Sequence, residues 1–299
     1  MIQLGRTCTY EEIMESIRTL TKHYPEYLTY YQAGTSHDGR EIPGIRLGSS
    51  DECLICSAGI HGRESVNPVL MVHMMNVYCE KLAGNHKTAN HALQKLFKKY
   101  SIYFLPLLNP DGYEIALWGF HVIQNPILRQ AMRRMEIPHE VWKANARGID
   151  INRNFPCKSF VAQGSMKMAG SENETKALMR AFETYPKSLG YLDFHSRGRI
   201  IYYYRSAMPY LYNRQGNHMA KRLQRICGYE IGTKREEFGT KLSGGNSVNY
   251  YSESYEKLAI TIETVDDLAG FPLAEYHQLR TYREIRQLPL VFLNECMPD

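Results

Sequence analysis

The 299-residue sequence predicts a single-domain α/β fold, with a largely parallel sheet covered by helices on both faces. Three observations carry that expectation. Short apolar runs rich in strand-forming residues alternate with segments of helical spacing. Three of the candidate site residues directly follow such runs, and in open α/β sheets ligands bind outside the carboxyl ends of strands. No linker, internal repeat or low-complexity tract interrupts the chain, so residues 1–299 read as one domain.

The elements follow in order. Residues 10–24 repeat Ile13, Ile17 and Leu20 at helical spacing, with Thr9 as N-cap and Glu11 and Glu12 in the first turn. The turn at Asp38-Gly39 separates two extended segments and reads as a hairpin. Residues 52–60 form the first core strand, followed by His61-Gly-Arg-Glu64 and a helix that Asn67-Pro68 opens and that runs to about Leu82. Residues 101–108 form a second strand, ending in the turn signal Asn109-Pro-Asp-Gly112. Residues 114–163 have little periodicity and read as an irregular, loop-rich stretch. Residues 189–194 and 257–262 give two further strands, followed directly by His195 and Glu263.

Composition excludes several classes. With 43% apolar, 22% charged and 11% aromatic residues the chain is ordinary globular protein, not disordered. The net charge of +5 is spread through the sequence, with clusters no larger than Lys98-Lys99 and Arg133-Arg134, which argues against nucleic-acid binding. No window approaches the ~18 apolar residues that span a bilayer. The first residues lack the charged-then-apolar pattern of an export signal, so a cytoplasmic location is expected. Seven dispersed cysteines fit reduced thiols. Cys53 and Cys56 make a C-x-x-C, but inside a strand and with no second pair they read as buried apolar residues.

His61 and Glu64 form H-x-x-E, a spacing that turns both side chains to one side of a tight turn. With a distant histidine they would complete the two-imidazole, one-carboxylate set of catalytic zinc, which leaves a fourth position open. Alone the spacing says little among 11 histidines. Strand-end placement of His61, His195 and Glu263 makes one shared site the better reading. Asp193 is expected on the opposite sheet face from His195, with no part in the metal site.

Taken in order, His61-Gly-Arg-Glu64, Asn109-Pro-Asp-Gly112, Asp150-Ile-Asn-Arg-Asn-Phe-Pro156, Phe194-His-Ser196 and Ile262-Glu263 resemble the zinc metallocarboxypeptidases over nearly the whole chain. The resemblance implies a central, mixed, eight-stranded twisted sheet and one zinc ion per chain, held by His61, Glu64 and His195. Glu263 resembles the general base, and Asn152 with Arg153 the pair that grips a terminal carboxylate, for which a guanidinium fork is well shaped. Lys143 stands where the family has a cation, normally Arg, that polarises the carbonyl; Arg147 is the nearby alternative. The Ser243-Gly-Gly245 loop puts Thr240 or Lys241 where digestive members carry a capping tyrosine, with Tyr250 or Tyr251 as possible substitutes. Val248 falls near the side-chain specificity position. Residues 142–156 and 193–199 look like the bacterial γ-D-glutamyl-meso-diaminopimelate peptidases. That implies a peptidoglycan-derived peptide substrate, with Arg197 or Arg199 holding a further carboxylate. No wall-binding repeat is visible, so a bare catalytic domain is expected. A serine hydrolase is disfavoured, since no G-x-S-x-G occurs and Ser254-Tyr-Glu-Lys257 lacks partner motifs. A non-catalytic muropeptide-binding module would have lost a ligand or the base, and all four residues are present.

Overall fold

The computed structural model describes residues 2–84, 89–233 and 244–297. Eight strands form one sheet: β1 (Leu28–Thr35), β2 (Glu41–Leu47), β3 (Cys53–Ala58), β4 (Ser101–Leu105), β5 (Gly190–Ser196), β6 (Ile200–Tyr202), β7 (Glu230–Ile231) and β8 (Ala259–Thr264). Their spatial order is β1-β2-β4-β3-β5-β8-β6-β7. The centre, β4-β3-β5-β8, is parallel, and β1, β2 and the β6/β8 pairing are antiparallel, which gives the mixed sheet.

Helix α1 (Tyr10–His23) starts on a capping box between Thr9 and Glu12. Helices α2 (Val66–Ala83) and α3 (Ala89–Lys99) follow β3, and α4 (Pro110–Trp118) follows β4. Asn109-Pro-Asp-Gly is therefore a helix start, not a free turn: Asn109 Oδ1 accepts the Gly112 N–H, and the proline sits in the first turn, where its missing N–H costs nothing. The stretch 114–163 is less irregular than its sequence suggests. It holds most of α4, helix α5 (Pro126–Arg133) and three short 3₁₀ turns, each too brief to show a period. Helices α6 (Asn173–Thr184), α7 (Tyr210–Cys227), α8 (Ser247–Tyr255), α9 (His277–Ile285) and α10 (Leu288–Glu295) complete the layers. No helix among the described residues is long and apolar enough to cross a membrane.

Strand alternation divides the core. Leu54, Cys56, Leu192, Phe194, Ile260 and Ile262 face the α1/α2/α7/α10 side. Cys53, Ile55, Tyr191 and Ala259 face the α6/α8 side with Phe182, Tyr250 and Tyr251. All seven cysteines are free thiols, and Cys53 and Cys56 are buried on opposite faces of β3. Tyr250 and Tyr251 belong to this aromatic core rather than to a substrate cap, and Val248 packs there too.

A buried ion pair ties the hairpin to the segments beyond β4. Arg40 Nη1 donates to Asp38 (2.8 Å) and Asp111 (2.9 Å), and Nη2 donates to the Val122 carbonyl (2.8 Å). Asp38 in turn accepts the Gln124 and Asn125 N–H groups. Removing one member of such a cluster leaves buried charge uncompensated. Arg40→Met is expected to lower unfolding free energy by about 3–5 kcal/mol in urea denaturation; a loss below about 1 kcal/mol would show that the cluster holds nothing.

Candidate active site

The sheet brings the site together by register. Strands β3, β5 and β8 are parallel neighbours, with Ala58 paired to Phe194, Phe194 to Ile262 and His195 to Glu263. His195 and Glu263 thus lie within the last two residues of their strands rather than after them. His61 follows three residues beyond β3, in a turn that leads into α2. That turn packs tightly: a Cβ on Gly62 would stand 2.1 Å from the Gly112 carbonyl oxygen, so glycine is needed there.

Three ligand atoms face one another. His61 Nδ1 lies 2.7 Å from Glu64 Oε1, and His195 Nδ1 lies 3.2 Å from Glu64 Oε2. The rings are 5.0 Å apart, and the ligand atoms of all three residues fall within 4.8 Å of one another. Each imidazole is held from behind by a carboxylate: His61 Nε2 by Asp150 at 3.3 Å, His195 Nε2 by Asp193 at 3.0 Å. This fixes the tautomer that frees both Nδ1 lone pairs for a metal. The donor set therefore fits one zinc ion with a position left open.

Asp193 is a correction to the sequence reading. Residues two apart on a strand share a face, so Asp193 lies beside His195, not across the sheet. Its carboxylate also accepts from Ser57 Oγ (2.7 Å) and Ser247 Oγ, and Tyr191 OH touches Ser57 at 2.6 Å. Ser247, rather than its neighbour Val248, reaches into the site. The i, i+2 period was the signal that would have found Asp193.

The electrostatics follow from four carboxyls in one place. Burial raises Glu263 to about 7, with His195 and His61 opposing and Glu64 and Asp193 adding to the rise. Burial also opposes the charge of Asp150 and Asp193, yet the adjacent imidazoles, helped at Asp150 by Lys143 and Arg153, hold both below their ordinary values. Desolvation would lower His195, but Asp193 and Glu64 raise it well above its usual value. A divalent cation would replace those protons, so metal and protons compete for the site.

The remaining residues divide clearly. Lys143 Nζ pairs with Asp150 at 2.6 Å, which puts it beside His61. Arg147 instead turns to Glu172 (3.3 Å), and Arg199 is taken up by Glu284 and lies over the Tyr229 ring. Both arginines are thus engaged by carboxylates of the chain itself. Asn152 Oδ1 accepts the Ser247 N–H (3.0 Å). Among the described residues the Arg153 side chain donates to its neighbour's carbonyl (2.7 Å) and has no carboxylate in ion-pair range. Arg197 has one long contact, 3.7 Å, to the exposed Asp267. Thr240 and Lys241 lie outside the described residues.

Buried asparagines hold the loops. Asn109 Nδ2 donates to the carbonyls of Ile60 and Ala144, tying the His61 turn to the Lys143 segment. Asn67 donates to the His195 carbonyl and accepts from Thr264, joining α2 to the ends of β5 and β8. Asn145 accepts the N–H groups of Arg147 and Ile149 and donates to Glu172 and Glu174.

A family model described as zinc carboxypeptidase matches residues 13–287. The chain is similar to the γ-D-glutamyl-L-diamino acid endopeptidase 1 of Lysinibacillus sphaericus, at 23% identity over 89% of this chain and 68% of that protein. It is also similar to a zinc carboxypeptidase of Simulium vittatum, at 24% identity over 91% of this chain and 85% of that one. Among solved structures, bovine thrombin-activatable fibrinolysis inhibitor superimposes with a TM-score of 0.78 at 18% identity, covering 98% of this chain and 97% of that one. A Burkholderia cenocepacia metallo-carboxypeptidase gives 0.67 at 13%, over 97% and 70%.

Asp193→Asn is expected to weaken zinc binding about 10- to 100-fold in chelator competition; unchanged affinity would remove Asp193 from the support of His195. At Glu172, burial opposes ionisation, but hydrogen bonds from His37, Asn145 and Ser171 prevail and hold it at about 2. Its folded value lies below the ordinary 4.5, so the stability it contributes is present above pH 4.5 and lost as pH falls towards 2. Glu172→Gln should flatten that acid limb in urea titrations at stepped pH. An unaltered slope would exclude Glu172 as its source.

Proposed function

The chain belongs to the zinc carboxypeptidase family, and on that premise we propose that it hydrolyses the amide between the γ-carboxyl of D-glutamate and meso-diaminopimelate in peptidoglycan stem peptides. The observation that carries the hydrolytic part is Glu263, raised by burial and level with His195 on the face that carries the metal ligands. The Lysinibacillus relative and the sparsely paired Arg153 and Arg197 support the substrate. A γ-linked D-glutamate leaves its α-carboxylate free beside the scissile bond, and diaminopimelate carries carboxylates at both ends, so this substrate needs more than one cation.

His61, Glu64 and His195 would hold the zinc ion, which when bound would supply Lewis acidity to a carbonyl and to water. Glu263 takes the proton from the attacking water and returns it to the leaving amine, a task suited to a carboxyl near neutrality. Arg153 and Asn152 hold the terminal carboxylate of the departing residue. Lys143, beside Asp150, is the cation placed to meet negative charge that develops on the carbonyl oxygen, as a point charge rather than a fork.

Arg153 would grip any terminal carboxylate, so an ordinary C-terminal carboxypeptidase is the second reading. Mass spectrometry after incubation with L-Ala-γ-D-Glu-meso-diaminopimelate and with an ordinary peptide separates the two. Release of diaminopimelate is expected; trimming of the ordinary peptide alone would establish the second reading. Glu263→Gln should lower kcat by about 10²–10⁴ with zinc content unchanged, and a kcat within threefold of wild type would exclude Glu263 as the base.

A further inference from the structure

Among the described residues two groups of three ligand-type side chains converge closely enough to hold a metal ion. One is the zinc site. The other joins His37, in the hairpin turn between β1 and β2, to Glu172 and Glu174 at the start of α6. His37 Nε2 lies 3.0 Å from Glu172 Oε2 and 4.0 Å from Glu174 Oε2. Two atoms each bonded to one zinc ion at about 2.1 Å stand about 3–4 Å apart, so both distances fit.

The second group repeats a signature of the zinc site. There, imidazole nitrogens face carboxylate oxygens at 2.7 and 3.2 Å, contacts that need a proton or a cation between the two lone pairs. His37 meets Glu172 in the same way. The Asn173 backbone N–H donates to His37 Nε2 at 3.3 Å, which calls for a lone pair on that nitrogen. In the metal-free protein a proton closes the gap to Glu172. A divalent cation would meet both carboxylates at once, which one proton cannot.

The carboxylates are also held as ligands are. Glu172 Oε1 accepts from Ser171 Oγ at 2.7 Å and Arg147 at 3.3 Å, and Glu174 Oε1 accepts the His37 N–H at 3.3 Å. That leaves both Oε2 atoms towards His37. Asn145 Nδ2 donates to each of them, at 2.8 and 3.1 Å, and such bonds fix the orientation of a ligating carboxylate while a further lone pair stays free. Thr175 stands three residues beyond the N-cap Glu172, on the side of the first turn that the cap occupies. Its hydroxyl is fully buried and has no hydrogen-bond partner among the described residues. Burial and the nearby Asp111 push Glu174 above its ordinary value, so this carboxyl lacks a sufficient counter-charge.

We propose that His37, Glu172 and Glu174 form a second metal site, which takes a divalent ion of the zinc type and holds no reacting group. The imidazole favours zinc over calcium and magnesium, which take oxygen ligands. The ion would pin the hairpin turn to α6. Through Asn145, which also accepts the Arg147 and Ile149 N–H groups, it would steady the residues that lead to Asp150.

The test is the metal content of the full chain after saturation with zinc and removal of free ion. The wild type should hold about two zinc ions, and excess calcium should displace neither. His37→Gln and Glu174→Gln should each leave about one, and so should His61→Gln, because the second site stands without the first. A wild type that saturates at about one zinc overturns the site, as does a second ion kept in both His37→Gln and Glu174→Gln. Should those variants fail to fold, the wild type reads the site directly through diethyl pyrocarbonate modification located by peptide mapping. Modification of His37 should be lost as the second equivalent of zinc binds. Unchanged modification would put that ion elsewhere and overturn the proposal.

Discussion

Four buried or half-buried carboxyls, Glu64, Asp150, Asp193 and Glu263, stand around two imidazoles, with Lys143 the cation in direct contact. Like charges so close in a poorly solvated place repel strongly unless protons or a cation intervene. Much of the surrounding structure answers that constraint. Glu64 is shared between the imidazoles and also accepts the Ser196 N–H at 3.1 Å. Asp150 and Asp193 spend their charge on the far nitrogens of the rings, and Glu263 alone is left high enough to exchange a proton near neutrality. Zinc matches this arrangement because two positive charges offset the excess that the protein leaves uncompensated.

Holding such a site requires loops that do not shift, and the chain does this with amides rather than further charges. Asn67, Asn109 and Asn145 are at most 1% exposed. Each joins two or three segments distant in sequence. Burying a neutral amide that makes its hydrogen bonds costs little, whereas another buried ion would disturb every nearby pKa. The amide at Asn145 links the turn before Asp150 to Glu172 and Glu174, so the support of His61 reaches a second layer.

The cations of these loops differ in how they are partnered. Among the described residues Arg63 and Arg153 have no carboxylate in ion-pair range and Arg197 meets the exposed Asp267 at 3.7 Å, whereas Arg147 and Arg199 pair with Glu172 and Glu284. On the proposed reading the first three remain available to the carboxylates of a substrate.

The linear sequence determined whatever depends on neighbours in the chain. The capping box of α1, the Asp38-Gly39 hairpin, the strands around Ile55, Phe104, Leu192 and Ile260, and the short-range His61/Glu64 pair were all legible, because helical and strand periods and turn preferences act over a few residues. The motifs that carry His195, Glu263, Asn152 and Arg153 were legible through their order along the chain rather than through spacing. Only the tertiary structure decided the remainder. Strand register set His195 level with Glu263, and packing brought Ser57 and Ser247 onto the Asp193 carboxylate behind it. The acid that each cation meets after folding sets Lys143 beside Asp150, Arg147 beside Glu172 and Arg199 beside Glu284. Packing sent Tyr250 and Tyr251 into the core, and one phenyl ring, 74 residues along the chain from Arg197, joined that arginine to Arg63. Such outcomes depend on which side chains meet after folding, and no local pattern encodes which partner a side chain will find.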